Sequence, residues 1–124
     1  MDVDFATYVE LQSIEKVLNQ YGFKRLGRCF THKDCSYIID FVNPPIAIGH
    51  EAIKEFNILE DGNCVLKLLT PTDCVKDRLA SFFHWDDKQV LLVAEHYPIA
   101  IKNLKRWAKL EGYSNKLSHF LEKL

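Results

Sequence analysis

The fold class is decided by residues 68–79, which read Leu68-Leu69-Thr70-Pro71-Thr72-Asp73-Cys74-Val75-Lys76-Asp77-Arg78-Leu79. Thr70 is a typical N-cap residue, Pro71 fits the first helical position, and Asp73 completes a helix start. The pattern before this stretch mixes helix and strand, and the pattern after it is helical. The sequence therefore predicts an α+β fold in a single domain, residues 1–124. We expect a small mixed, largely antiparallel sheet with one helix in residues 1–70, and a helical bundle in residues 71–124.

The first helix is predicted upstream of the sheet. Thr7 and Glu10 have the spacing of a capping box, which makes Thr7 the expected N-cap. Apolar residues then recur at helical spacing from Leu11 to Tyr21. Gly22 stands where a residue with positive φ commonly ends a helix.

Strands are predicted over residues 23–30 and 35–42, joined by a turn at residues 32–34. The second strand should end at Asn43-Pro44-Pro45, because proline cannot donate to a strand ladder. A second hairpin is expected from residues 53–59 and 64–69. Its turn, residues 60–63, contains Asp61-Gly62, and Asp-Gly is a strong hairpin signal.

Four helices are expected after Thr70. The first would bury Val75, Leu79 and Phe82. Further helix starts are predicted at Asp86, at Pro98 and at a capping Ser114, and Gly112 should close the helix that begins at Pro98.

Composition excludes several classes of protein. The chain is 48% apolar and 27% charged, with 16 basic and 17 acidic residues and a formal net charge of −1. These values are unlike a disordered chain or a bulk nucleic-acid binder. No apolar run reaches the ~18–20 residues of a membrane span. The N-terminus is acidic and lacks the basic start of a signal peptide, so we expect a cytoplasmic protein.

The four cysteines are expected to be reduced thiols, as is usual in the cytosol. They are Cys29, Cys35, Cys64 and Cys74. Cys29, His32 and Cys35 lie close in sequence, but a structural zinc site needs four ligands. The sequence therefore does not favour a zinc site.

Candidate chemistry lies in three carboxylates. Asp2 and Asp4 would point to one face of an extended segment, about 7 Å apart. Asp40 lies among apolar residues, where an ionised carboxylate is costly unless a metal or a partner compensates it. Such a cluster is what two-metal phosphoryl transfer requires. The alternatives are that Asp2 and Asp4 are a solvated chain end, and that Asp40 caps a loop or pairs with Lys or Arg.

Asp2-Val3-Asp4-Phe5, then a helix, then a strand carrying Asp40, resembles the core of the polymerase-beta-type nucleotidyltransferase superfamily. The bacterial nucleotidyltransferase-like group related to abortive-infection toxins is the most similar part of that superfamily. Residues 68–87 are similar to the segment that follows its catalytic core. The resemblance covers nearly the whole chain, and it implies an α+β nucleotidyltransferase-like domain.

The resemblance implies roles for four residues. Asp2, Asp4 and Asp40 would be the catalytic carboxylates and would bind Mg²⁺. Lys76 would approach the nucleotide phosphates from its helix. The alternative for Lys76 is a solvated lysine on a helix face.

One departure from the family bears on activity. Active members carry a Gly-Ser loop before the carboxylate pair, and its amides hold the triphosphate. Here Met1 precedes Asp2 directly, and no Gly-Ser dipeptide occurs in the sequence. We therefore expect a nucleotidyltransferase-like protein that is inactive as an isolated chain and binds nucleotide weakly or not at all. The alternatives are an interaction module of a toxin–antitoxin type system, and an active enzyme completed by an upstream segment or a partner subunit.

Two surfaces suggest partners. The segment carrying Val3 and Phe5 lacks the Lys or Pro that commonly blocks an edge strand, so we expect a homodimer through it and the first helix. Residues 99–124 hold six basic and two acidic residues. This basic surface could contact RNA or an acidic partner, or be the ordinary solvated face of two helices.

Overall fold

The computed structural model describes residues 2–81 and 88–124 and shows the predicted α+β class. The chain forms two compact units, Met1–Ile46 and Ala47–Leu124. The β-hairpin of residues 56–69 therefore belongs to the unit that contains the C-terminal helices. Two predicted features, the buried Phe82 and the helix start at Asp86, lie outside the described residues.

The described part of the N-terminal unit is a four-stranded sheet with one helix. Its elements are β1 (Asp2–Ala6), α1 (Leu11–Gln20), β2 (Phe23–Leu26), β3 (Cys29–His32) and β4 (Cys35–Val42). The strands lie in the order β1-β4-β3-β2, with β1 parallel to β4 and the other pairs antiparallel.

Helix α1 begins later than predicted. Its N-cap is Glu10, and no side chain caps it. Thr7 Oγ1 instead accepts a hydrogen bond from the Val9 N–H at 3.1 Å, within a local turn. The capping box at Thr7 is therefore wrong, because a short-range hydrogen bond satisfies the threonine before the helix starts. The predicted end is confirmed, since Gly22 follows the last turn with a φ of 85°.

The predicted strand over residues 23–30 is two strands. Gly27 and Arg28 form a two-residue turn between β2 and β3, and Gly27 has a φ of 65°. Glycine readily adopts this conformation, and a glycine at the first position of a two-residue loop is typical of a type II′ hairpin. The glycine inside this short segment thus marks a reversal of the chain, which the prediction of one continuous strand missed. Strand β4 has the predicted bounds.

Aromatic rings hold the N-terminal unit together. Phe30 is fully buried, and its ring meets the edge of Phe41 with centroids 5.6 Å apart. Phe41 in turn stacks on Phe5 from β1. Glu15 of α1 pairs with Arg25 of β2 at 3.0 Å, which ties the helix to the sheet.

Residues 47–81 and 88–124 of the C-terminal unit form two hairpins and four helices. Its elements are β5 (Ala47–Ile48), β6 (Glu51–Ala52), β7 (Phe56–Asp61), β8 (Cys64–Leu69), α2 (Pro71–Ala80), α3 (Lys88–His96), α4 (Ile101–Glu111) and α5 (Ser114–Leu121). The β7–β8 hairpin is confirmed, although its turn is only Gly62-Asn63. The short β5–β6 hairpin was not predicted, because two-residue strands leave no periodic pattern.

The helix starts agree in part with the sequence. The start at Thr70 is confirmed, since its Oγ1 accepts a hydrogen bond from the Asp73 N–H at 3.2 Å. Helix α4 begins at Ile101 rather than at Pro98. Just before the helix, the Ala100 N–H donates a hydrogen bond to Thr72 Oγ1 of α2. Ser114 is the first residue of α5 and not its cap. Gly112 ends α4 with a φ of 80°, as predicted.

The core of the C-terminal unit centres on α4. Leu104, Trp107 and Ala108 are fully buried, and Val75 of α2 packs in the same cluster. Trp107 Nε1 donates to the Ile48 carbonyl at 3.2 Å, which attaches the β5–β6 hairpin to the helix. Among the residues that the structure describes, no helix is long and apolar enough to cross a membrane.

Candidate functional site

The three candidate carboxylates lie on one face of the N-terminal sheet. Asp4 of β1 is the direct register partner of Asp40 in the parallel strand β4. Neighbouring strands lie about 4.8 Å apart, so these two residues are adjacent. Asp2 lies two positions earlier in β1 and therefore points to the same face as Asp4. Sequence reasoning placed these residues together, and the register brings them to one surface.

The Asp40 carboxylate is already engaged. Its side chain is 15% exposed, and its Oδ2 pairs with Arg28 Nη2 at 3.0 Å. Its Oδ1 accepts the Phe41 N–H at 2.8 Å. Arg28 comes from the β2–β3 turn, which explains why the sequence did not reveal it. Of the interpretations open for Asp40, pairing with a basic side chain is the one observed.

The carboxylates do not gather into a metal-binding group. Within residues 2–81 and 88–124, no three side chains of His, Cys, Asp or Glu are grouped so as to hold a metal ion. Asp2 and Asp4 are exposed on the edge strand. All four cysteines are free. The arrangement in this chain can therefore present negative charge to solvent, and Mg²⁺ binding stays a proposal.

A surface cavity of about 730 Å³ opens at the carboxyl ends of β1 and β4. Ligands of open sheets containing parallel strands commonly bind at this end. Arg28, which pairs with Asp40, contributes one wall. The other lining residues come from the β1–α1 connection, the start of α1 and the end of β4: Thr7, Tyr8, Val9, Glu10, Leu11, Phe41, Val42 and Asn43.

Lys76 lies in the C-terminal unit, and its side chain is only 3% exposed. Its ammonium group contacts Glu51 Oε1 at 2.7 Å and Asp73 Oδ1 at 3.0 Å. The interpretation of Lys76 as a solvated helix-face lysine is therefore wrong. A buried ammonium needs such partners, because leaving it unpaired would cost several kcal/mol. A nucleotide phosphate at Lys76 would have to compete with two carboxylates.

Glu51 joins Lys76 to a second cation. The Arg106 guanidinium contacts Glu51 Oε2, while Lys76 holds the other carboxylate oxygen. The hydrogen bond from Lys76 lowers the pKa of Glu51, and the bond from Arg106 lowers it further. Glu51 is therefore held as an anion between α2 and α4. No sequence pattern predicts this contact, because Glu51, Lys76 and Arg106 are far apart in the chain.

A partly buried carboxylate also holds the β5–β6 turn. Glu111 is 8% exposed, and its Oε1 accepts the His50 N–H at 2.7 Å. Its Oε2 lies 2.9 Å from Nδ1 of the exposed His50 ring. These two bonds lower the pKa of Glu111, the backbone N–H more than the ring. Gly49 lies beside them with a φ of 63°, and a Cβ there would displace the carboxylate end of the Glu111 side chain. His50 and Glu51, which formed no motif in the sequence, thus anchor the hairpin.

The described geometry contains two different kinds of polar site. The N-terminal unit presents three aspartates on a sheet face, and in the C-terminal unit Glu51 joins the buried Lys76 to the half-exposed Arg106. Comparison of the chain with protein-family models, with curated proteins and with solved structures gave no match.

Proposed function

We propose that the chain is a nucleotidyltransferase-like protein that does not transfer nucleotides as an isolated chain. The observation that carries the proposal is the register of Asp4 with Asp40, with Asp2 on the same face. This arrangement supports the carboxylate face of a nucleotidyltransferase. Such a face could hold Mg²⁺ if the three carboxylates converged, since hard oxygen ligands suit that ion.

The contacts of Asp40 support the absence of activity. Arg28 neutralises the third carboxylate, and a metal ion would have to displace that guanidinium. Lys76, the proposed phosphate contact, is occupied by Glu51 and Asp73.

Titration calorimetry with ATP and Mg²⁺ tests this proposal. We expect weak or undetectable binding for the wild type and for Asp40→Asn. Arg28→Gln frees the Asp40 carboxylate and should strengthen Mg²⁺ binding if the three aspartates form the site. Micromolar nucleotide binding by the wild type that is lost in Asp40→Asn would contradict inactivity and favour an active enzyme. No change in Mg²⁺ affinity in Arg28→Gln would contradict the carboxylate site.

A second candidate is an interaction module, and the β7–β8 hairpin favours it. Both of its faces are exposed, with Ile58, Leu59 and Val65 each more than half exposed. An isolated two-stranded hairpin is marginally stable in water, so a protein partner covering either face would stabilise it. Replacing Leu59 and Leu66, which pair across one face, with Glu should abolish capture of such a partner and leave the fold intact. Capture that survives both substitutions would contradict this role for the hairpin.

We further propose a homodimer formed through β1, and a cytoplasmic location. Strand β1 is an edge of its sheet, with Val3 and Phe5 each 39% exposed. An unpaired edge tends to add another strand. The free thiols support the cytoplasm, because that compartment keeps cysteines reduced.

A further inference from the structure

One face of α4 is a line of positive charge. Lys102, Lys105 and Lys109 are all exposed and recur at i, i+3 and i+7, the spacing of neighbours along one helix face. At 1.5 Å per residue the line spans about 10 Å along the helix axis. Hereafter these three residues are called the lysine stripe.

The lysine stripe has no acidic partner among the described residues. None of its three ammonium groups lies in a salt bridge or a side-chain hydrogen bond with any residue in the ranges 2–81 and 88–124. The acid of the same helix, Glu111, is turned inward and bound by His50. Glu51 is likewise engaged, by Lys76 and Arg106. Within the part of the chain that the structure describes, the positive charge of the stripe is therefore uncompensated.

The positions of the three lysines destabilise helix α4 in the chain without a partner. Lys105 and Lys109 are like charges at i and i+4, which destabilise a helix. Lys102 lies in the first turn, where the helix dipole opposes a cation, and no acidic residue lies there to offset it. An acidic partner would relieve both effects.

We propose that the lysine stripe docks an acidic helical segment of a partner protein. Carboxylates at i, i+3 and i+7 of a second helix match the straight line of the three ammonium groups. Leu110 follows Lys109, about 100° further around the helix, and is 72% exposed, so it offers an apolar contact to a helical segment whose flanking leucine reaches around this side. A nucleic-acid backbone would not use that contact. This proposal concerns α4 alone and does not depend on the carboxylate face of the N-terminal unit.

An NMR titration of the full chain tests the proposal. The probe is a designed helical peptide with Glu at i, i+3 and i+7 and a flanking Leu. The expected result is a set of amide shifts confined to residues 101–111. Lys102→Gln, Lys105→Gln and Lys109→Gln together should weaken binding about tenfold, as expected for three exposed ion pairs. The same three changes should leave the thermal midpoint unchanged or raise it, which shows that the variant is folded.

The control variant carries Gln at Lys54, Lys67 and Lys88, three exposed lysines of the same unit, and should bind like the wild type. A peptide of the same composition, with its Glu residues distributed around the helix, should bind more weakly. Equal binding of the two peptides, or equal loss in the control variant, would overturn the proposal as unspecific charge attraction. Tighter binding of polyuridylate than of the designed peptide would also overturn it, in favour of nucleic acid.

Discussion

At the scale of a single residue, Gly49 shows how a turn depends on one missing side chain. Its φ is 63°, and the Glu111 carboxylate occupies the space that a Cβ would need. Gly62, in the β7–β8 turn, has a similar φ of 58°, but no other atom lies within 4 Å of the place where a Cβ would stand. Alanine at either position would strain the backbone, but only alanine at Gly49 would also meet a neighbouring side chain. Comparison of the two substitutions therefore separates the two effects.

We expect Gly49→Ala to destabilise the chain by about 2–3 kcal/mol and Gly62→Ala by about 1 kcal/mol. Both variants strain the backbone, but only the first also displaces Glu111 from the His50 N–H. Urea unfolding followed by tryptophan fluorescence measures the difference, since Trp107 is buried in the same unit. Equal losses in the two variants would show that the carboxylate moves aside freely.

Glu51 makes stability depend on pH. Its pKa in the folded chain lies below the ordinary value of 4.5, because Lys76 and Arg106 bind the ionised form. The contacts of ionised Glu51 with Lys76 and Arg106 therefore stabilise the folded chain above about pH 4.5. This stabilisation is lost as the pH falls through the pKa of Glu51 in the folded chain. Glu51→Gln should lower the urea midpoint at pH 7 and reduce its fall between pH 5 and about pH 3. Glu60→Gln, which removes an exposed carboxylate of β7, is the control. If the urea midpoint of Glu51→Gln falls between pH 5 and about pH 3 as much as that of the wild type, other carboxylates cause the loss of stability in acid.

At the scale of an element, the starts of α2 and α5 show that a residue with the sequence signature of an N-cap does not always cap the helix. Thr70 caps α2 through a side-chain hydrogen bond, whereas Ser114 is already inside α5. Both residues had the sequence signature of an N-cap. Thr70 has an extended backbone just before its helix, so its side chain can accept a hydrogen bond from the N–H of the third helical residue, whereas Ser114 cannot.

Thr70→Ala should therefore cost about 1 kcal/mol, as is typical for the loss of an N-cap. Ser114→Ala should change stability by less than about 0.5 kcal/mol, the range of ordinary surface substitutions. Denaturant midpoints of the two variants decide between the alternatives. A larger loss in Ser114→Ala would mean that serine caps α5 in solution.

At the scale of the whole molecule, the edge strand β1 carries the proposed dimer contact. Antiparallel pairing of two β1 strands puts paired residues on the same sheet face. A two-fold register centred on Val3 would set Asp2 opposite the partner's Asp4. Like charges directly opposite are destabilising, so this dimer should be weak at low salt and stronger when salt screens the carboxylates.

Light scattering at tens of micromolar tests this contact. We expect a mass above that of one chain, increasing with salt. Phe5→Asp should dissociate the dimer, because it places a charge in an apolar contact. Asp4→Asn should strengthen it, and that variant keeps the test decisive if Phe5→Asp does not fold. A mass near one chain in the wild type and in Asp4→Asn, unchanged on dilution, would rule out the dimer.

The sequence by itself determined the features that depend on neighbouring residues. The α+β class, the strand over residues 35–42, the hairpin ending at Leu69, the cap at Thr70 and the glycines that close α1 and α4 all follow from local backbone preference and hydrophobic period. Strand period alone puts Asp2 and Asp4 on one face, whereas the register of β1 on β4, which adds Asp40 to that face, was decided by the tertiary structure.

Only the tertiary structure decided which polar groups meet. Arg28 pairs with Asp40, 12 positions away in sequence. Lys76 pairs with Glu51 across 25 positions, and Glu111 pairs with His50 across 61. Such pairs leave no periodic signal, because a buried charge needs a partner of opposite sign but not at any fixed spacing. Packing of α4 against α2 and the β5–β6 hairpin brings these partners within hydrogen-bond distance in the C-terminal unit. The same packing turns Glu111 inward and leaves the lysine stripe exposed.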